Sequence, residues 1–276
     1  MPELQCQSFL VVGGAKGIGQ ATCTRLAAKK AKLLVIDVDA RALDDMAEVR
    51  QQDVETWCFD MTKRADVTAF CHALTERGVK LDGVVMSAAV HGGCPAEAMS
   101  DAFIERIIEV NLTSHVAFVR DLLPSLRDGA RIVGISSNCA DIGIPMESIY
   151  AASKAGIERF YEALAIELSD RRIRPLLIQP GNVNTGFNET GNDYQPTGDG
   201  FIDEGYRRVI SRIDSSNGID PGAVADATVH ALTARRPSFR TLVGMNALKT
   251  HWAKRLLGTD LALRLMAKFF GFRSAH

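Results

Sequence analysis

Ser8 to Val12 (Ser-Phe-Leu-Val-Val) runs without a break into Gly13-Gly14-Ala15-Lys16-Gly17-Ile18-Gly19. The first five residues read as a short buried strand rich in β-branched and aromatic side chains. After the glycines, Ala21, Leu26 and Ala27 repeat at helical spacing as far as Lys30. Strand, glycine turn and helix in immediate succession are the context that a dinucleotide phosphate site requires. Gly13 is expected to permit the tight turn, Gly17 to let the backbone approach a pyrophosphate, and Gly19 to allow close packing of helix on strand. The free N–H groups at the helix start favour the phosphates, so Ala15, Lys16 and Ile18 join the three glycines as candidate cofactor contacts.

Lys32 to Ile36 (Lys-Leu-Leu-Val-Ile) forms a second apolar run that ends at Asp37. A carboxylate there, eighteen residues beyond Gly19, suits hydrogen bonds from the adenosine ribose hydroxyls. It would repel a 2′-phosphate, and Val38 beside it supplies no cation to offset the repulsion. Lys16 argues the other way, as a base inside the turn. A carboxylate facing a dianion in a partly desolvated pocket outweighs one mobile lysine, which favours NAD over NADP.

Further along, Tyr150 and Lys154 stand four residues apart at the start of a predicted helix, with Ser137 thirteen residues before the tyrosine. Four apart places both side chains on one helix face. A phenol with pKa ~10 is a poor acid–base catalyst at neutral pH, and a neighbouring ammonium is expected to pull it toward the working range. Ser137 on the adjoining loop would orient the substrate oxygen. The trio is suited to proton chemistry on an alcohol or a ketone, with Tyr150 and Ser137 in contact with substrate.

Strand and helix patterns alternate through the rest of the chain. Strands are predicted at Thr56–Phe59, Gly83–Met86, Arg131–Ser136, Arg174–Gln179 and Arg240–Val243, and helices at Ala40–Arg50, Lys63–Arg77, Asp101–Arg127, Ser148–Asp170 and Pro221–Ala234. This alternation predicts an α/β fold: a doubly wound parallel sheet (a Rossmann fold) with helices on both faces. Ligands in such sheets bind beyond the carboxyl ends of the strands. Asp37, Asp60, Ser87, Ser137 and Pro180 all follow predicted strands, so the topology gathers them at one crevice.

These residues together resemble the short-chain dehydrogenase/reductase family over nearly the whole chain. Val12 to Gly19 is similar to its Thr-Gly-x-x-x-Gly-x-Gly turn, with Val12 where threonine is usual. Asp60, followed by Met61, sits where the family has its adenine-binding aspartate. Met86-Ser87-Ala88-Ala89 stands where the family has Asn-Asn-Ala-Gly; it lacks the asparagine pair, and Ala89 narrows the space over the cofactor. Loss of the usual threonine hydroxyl at position 12 and loss of the asparagines are expected to compensate each other. Asn111, Ser137, Tyr150 and Lys154 match the catalytic tetrad. Pro180-Gly181-Asn182-Val183-Asn184-Thr185 matches the segment whose valine and threonine hold the nicotinamide carboxamide.

The resemblance implies an NAD-dependent oxidoreductase acting on CH–OH groups. Tyr150 would exchange a proton, Lys154 would also bond the nicotinamide ribose, and Asn111 would hold a water linking Lys154 to solvent. It further implies a homo-dimer or homo-tetramer, with the interface on Asp101–Arg127 and Ser148–Asp170. Thr233-Ala234-Arg235-Arg236-Pro237 followed by Arg240-Thr241-Leu242-Val243-Gly244 resembles the branch that includes 17β-hydroxysteroid and retinol dehydrogenases. That similarity implies a bulky, mostly apolar or cyclic secondary alcohol or ketone. The rival function is a catalytically silent, dinucleotide-sensing protein on the same scaffold. Such proteins usually lack the tyrosine or lysine, and both are present here.

Composition sets the remaining bounds. The 276 residues are 46% hydrophobic, enough for one substantial core, and no Pro/Gly/Ser-rich linker divides them, so residues 1–276 are expected to form a single domain. Thirty-two basic against thirty-three acidic residues argue against a nucleic-acid binder. The six cysteines form no Cys-x-x-Cys pair and no zinc-like spacing, which predicts reduced thiols, no metal site and a cytoplasmic location. Cys139 is expected to line the pocket as a small hydrophobe. His91, Asp141 and Glu147 are expected to be solvated loop groups.

Residues 186–218 turn to Asn, Asp, Gly and Pro and read as a substrate-binding loop, with Phe187, Tyr194, Phe201 and Tyr206 as wall candidates. From Ala247 onward six basic residues face only Asp260, and Leu261, Leu265 and Phe269 repeat every four residues. Gly258 is expected to split residues 247–276 into two amphipathic helices. They would pack on the substrate pocket or a second subunit; the alternative is a peripheral contact with an anionic membrane.

Overall fold

A computed structural model describes residues 4–46, 49, 53–185, 194–198, 200–212 and 218–273. Seven strands form one fully parallel sheet: β1 (Ser8–Val12), β2 (Lys32–Asp37), β3 (Val54–Cys58), β4 (Leu81–Met86), β5 (Leu126–Ile135), β6 (Arg174–Pro180) and β7 (Arg240–Val243). Their order is β3-β2-β1-β4-β5-β6-β7. The chain starts in the middle, winds out to β3, crosses back to β4 and winds out the other way. The β1–β4 junction is therefore the switch point where a ligand crevice opens.

Period-two alternation explains why these runs must be covered on both sides. Along β1, Leu10 and Val12 enter one core and Phe9 and Val11 the other. All four are essentially inaccessible to water, and each such side chain contributes about 1.5–3 kcal/mol by burial. The first core is closed by α3 (Arg64–Glu76), α5 (His115–Leu122) and α6 (Ser148–Glu167), through residues such as Phe70, Phe118 and Tyr161. The second is closed by α1 (Gly17–Ala27) and α8 (Pro221–Thr233), through Leu26 and Val224. Helices thus lie on both faces, as the alternation predicts.

The predicted helix over Asp101–Arg127 is broken. It consists of α4 (Asp101–Ile108), a π-helical segment Glu109–Ser114, α5 and a short 3₁₀ turn Leu123–Ser125, after which β5 begins. Pro124 ends it, because proline has no N–H to continue the ladder and restricts the residue before it. Within Ala40–Arg50, α2 spans Ala40–Asp44. Part of the segment read as an irregular loop is helical: α7 covers Phe201–Ile210 and buries Asp203, Tyr206 and Val209. The last helix, α9 (Met245–Phe270), is interrupted at Gly258 (φ 75°, ψ 167°), where the sequence predicts a division. Among the described residues no helix is long and apolar enough to cross a membrane.

One buried pair gives the fold a pH dependence. His115 Nε2 lies 3.0 Å from the Tyr161 hydroxyl. Burial, and secondarily the charge of Lys154, push the imidazole from 6.5 down to about 3. A depressed folded value means the neutral form is favoured, so this contribution is complete above pH 6.5 and is lost as pH falls toward 3. Within that window the unfolding free energy is expected to fall by about 1.4 kcal/mol per pH unit from this group. Denaturant titrations across the window should show that slope in the natural chain and a shallower one in His115→Gln. Equal slopes would contradict the reading.

Candidate active site

The carboxyl ends of β1 to β6 surround one cleft of about 550 Å³. At its β1 side Gly13 has φ 75°, and a Cβ there would sit 2.6 Å from Ala88 Cα. Only glycine permits both that turn and that approach. A Cβ on Gly19 would overlap the Gly13 carbonyl oxygen. Gly13, Lys16, Gly17 and Ile18 line the cleft, whereas Ala15 and Gly19 stand behind its surface. Ala15 is buried and its N–H donates to Asp37 Oδ2 at 2.9 Å, so this carboxylate braces the glycine turn.

Asp37 and Val38 border one end of the cleft, joined by Asp60 and Met61 after β3. Asp37 Oδ1 also accepts the Asp39 N–H at 3.1 Å. Lys16, which the sequence leaves free to meet a phosphate, has its ammonium 2.6 Å from Asp39 Oδ2. After β4, the N–H groups of Ser87 and Ala88 both donate to the Val12 carbonyl at 2.9 Å. Two backbone hydrogen bonds thus join these two segments. Ser87, Ala88 and Ala89 face the cleft, as do Pro180, Val183 and Thr185 after β6. Phe187 lies outside the described residues.

Ser137, Tyr150 and Lys154 line the same cleft and are all buried. Ser137 opens a 3₁₀ turn, Asn138–Ala140, accepting the Cys139 N–H at 3.2 Å while its hydroxyl donates to Asn138 Oδ1 at 3.3 Å. Tyr150 and Lys154 come from the first two turns of α6. Lys154 Nζ donates to the Ile135 carbonyl at 3.0 Å and lies 5.7 Å from the Tyr150 ring centroid. Asn111 does not reach the cleft surface. Its carboxamide accepts from Val90 N at 2.8 Å and donates to Val90 O at 2.9 Å and Ser153 Oγ at 3.2 Å. The π-helical segment carries it there, clamping the strand-to-loop exit that holds His91.

The electrostatics differ from the sequence expectation. Burial pushes the Tyr150 phenol well above its ordinary value; Cys139 and Glu147 push the same way and the Ser137 hydroxyl opposes them. Burial also lowers Lys154 to about 8. Burial sets the phenol and the ammonium does not, because a phenolate here would lose its hydration. In this state the phenol carries its proton at neutral pH.

Three groups read as solvated in the sequence are nearly buried. His91 Nε2 lies 3.1 Å from Glu147 Oε1, and the His91 ring meets the Tyr150 ring edge-on at 4.8 Å between centroids. Glu147 Oε2 also accepts from the Cys139 thiol at 3.2 Å. Burial, with Glu147 adding to it, raises that thiol well above its ordinary value, which fits a small apolar wall residue. The signal for Glu147 was its place three residues before Tyr150, on the same side of the helix start. Asp141 accepts from Gln179 Nε2 and pairs with His251 Nδ1 at 2.9 Å, and its carbonyl accepts from Lys254, so it ties the loop after β5 to α9.

The described aromatic wall candidates lie elsewhere. Tyr206 packs on Tyr194, whose hydroxyl donates to Asp203, and Phe201 is exposed; none of them lines the cleft.

Comparison with known proteins shows the family and the fold. Residues 7–195 match the short chain dehydrogenase family. The 3-ketodihydrosphingosine reductase of Bacteroides thetaiotaomicron is 27% identical over 246 residues, covering 87% of this chain and 89% of its own. Levodione reductase of Leifsonia aquatica is 31% identical over 184 residues, covering 64% of this chain and 69% of its own. A short chain dehydrogenase/reductase from Burkholderia phymatum, solved in complex with NAD, superposes with a TM-score of 0.77 at 25% identity, over 100% of this chain and 99% of that one. Motif order, sheet topology and relatives all lead to one assignment: the chain belongs to the short chain dehydrogenase family and is an oxidoreductase of alcohols and ketones.

Proposed function

We propose that the chain is an NAD-dependent reductase of bulky, largely apolar ketones, reversible to the secondary alcohol, with Tyr150 as its proton donor. The observation that carries this reading is the convergence of Ser137, Tyr150 and Lys154 on the same cleft as the Gly13–Gly17 turn. A bound nicotinamide dinucleotide supplies or accepts the hydride. The glycine cradle fits its pyrophosphate, since a Cβ on Gly13 has no room beside Ala88.

The chain's own groups handle the oxygen. The Tyr150 hydroxyl gives its proton to the carbonyl oxygen as charge develops there, and the Ser137 hydroxyl donates a second hydrogen bond that orients it. Lys154, charged at neutral pH with a value of about 8, stabilises the tyrosinate left behind. A phenol loaded with its proton favours the reducing direction. Val90, Cys139 and Ile144 give the wall beyond Tyr150 its apolar character. Both relatives described above are named as reductases, one of a keto compound and one of a dione.

The preference for NAD over NADP rests on two carboxylates. Asp37 faces the cleft, and Asp39 engages the ammonium of Lys16 that would otherwise meet a 2′-phosphate. Asp37→Ala is expected to shift the NAD/NADP ratio of kcat/KM by about 100-fold toward NADP, the scale of a like-charge clash together with lost charged hydrogen bonds. Steady-state kinetics with both cofactors measures it; an unchanged ratio would contradict the proposal.

The reading itself is tested by offering NADH or NADPH with a panel of cyclic, aromatic and steroid-like ketones. Oxidation of NADH with the apolar members supports it. Tight NADH binding without oxidation by any ketone would overturn it.

A further inference from the structure

α9 exposes apolar side chains in a pattern that the described residues leave largely uncovered, Arg212 over the Phe269 ring being a partial exception. Ala247 is buried, and His251 and Lys254 are both bonded to Asp141, so one side of the first half of α9 faces inward. Helical periodicity then turns Met245, Leu248, Trp252 and Leu256 outward as one stripe. Met245 is 63% exposed and Leu256 75%. Beyond the Gly258 break, Ala262 and Phe270 are buried, while Leu261, Leu265 and Phe269 form a second outward row, Phe269 being 58% exposed. No residue of α9 lines the active-site cleft, so these rows do not roof the substrate pocket.

Charge identifies what would cover them. Lys249 and Arg255 flank the first stripe in helical projection, Arg264 and Lys268 flank the second, and all four are exposed. A shallow depression at the end of the helix is lined by Arg264, Lys268 and Arg273 together with Leu265 and Phe272. A second copy is the poorer occupant. Two-fold pairing of this face would set basic flank against basic flank, with Asp260 as the one acidic residue in the segment. An interfacial bilayer surface offers both of the required chemistries, acyl chains for the leucines and anionic headgroups for the lysines and arginines. The helix cannot span the bilayer, so it would lie in its surface.

We propose that α9 is a peripheral membrane anchor that lays these two stripes on an anionic lipid surface. The test is flotation of the full chain with phosphatidylcholine vesicles, with and without phosphatidylglycerol. About tenfold or greater preference for the anionic vesicles is expected, falling as salt is raised. Trp252 emission should shift to the blue on binding, and Trp252→Phe should lose that shift. The double variant Leu256→Asp/Phe269→Asp should lose vesicle binding about tenfold while keeping its thermal stability and its reduction of a water-soluble ketone. Equal or absent binding to both vesicle types overturns the proposal. So does a solution oligomer that this double variant dissociates, because the stripes would then be a subunit interface.

Discussion

Replacing Tyr150 by phenylalanine is expected to lower turnover by about a thousandfold or more while NAD affinity stays within about threefold. The substitution removes one hydroxyl from a side chain that is 7% exposed and leaves the ring, with its edge contact to His91, in place. Lys154 keeps its bond to the Ile135 carbonyl, and Ser137 keeps the Cys139 N–H. The hydride site and the glycine turn are therefore undisturbed, and what disappears is the proton that must reach the carbonyl oxygen. General acid catalysis of this kind contributes about 10²–10⁴ in rate. Single-turnover kinetics beside a cofactor titration separates the two effects. Near-normal turnover would show that water or another group supplies the proton. A parallel loss of cofactor binding would show that the residue is structural.

The second large effect concerns Gly19. An alanine Cβ would overlap the carbonyl oxygen of Gly13 and crowd Gly14 Cα, both of them backbone atoms that cannot swing aside. The turn must shift, and the Gly13–Ala88 contact and the Ala15–Asp37 hydrogen bond shift with it. Overpacking of this kind costs about 3 kcal/mol, which for a chain of this size lowers the melting temperature by roughly 6–12 °C. Dinucleotide affinity should fall by at least about tenfold, because the phosphates lose their preset N–H groups. Calorimetry and a binding titration check both. An alanine variant of natural stability and affinity would contradict the close packing of α1 on the turn.

The central strands were legible because they are covered on both faces, whereas β3 and β7 at the two edges are only partly buried. Lys32–Ile36 and Ser8–Val12 are continuous apolar runs, and such runs have few alternatives when glycine turns and amphipathic helices separate them. The residues around the cleft were legible for the related reason that they follow strand ends, where parallel topology gathers them. The misses share a different cause. The His91–Glu147 pair joins residues 56 positions apart and arises only once α6 and the loop after β4 are packed, so beyond the place of Glu147 near Tyr150 nothing local marks it. The π-helical break at Asn111 is held by bonds to Val90, 21 residues earlier, and Ser153, 42 residues later. In α7 the glycine at 205 and the sparse apolar residues hide a helix whose buried side rests on Tyr206 and Val209. The exposure of α9 could not be read from its amphipathic pattern, because periodicity tells which residues share a face and not whether that face has a partner.

In the proposed reaction the Tyr150 phenol passes a proton to an oxygen whose carbon faces the nicotinamide. A crystal structure of the chain with NADH and an unreactive ketone analogue tests it most directly. The Tyr150 hydroxyl is expected within about 2.6–3.2 Å of the analogue's oxygen, with Ser137 as a second donor. An analogue oxygen bound away from Tyr150, with the phenol turned from the nicotinamide, would contradict it.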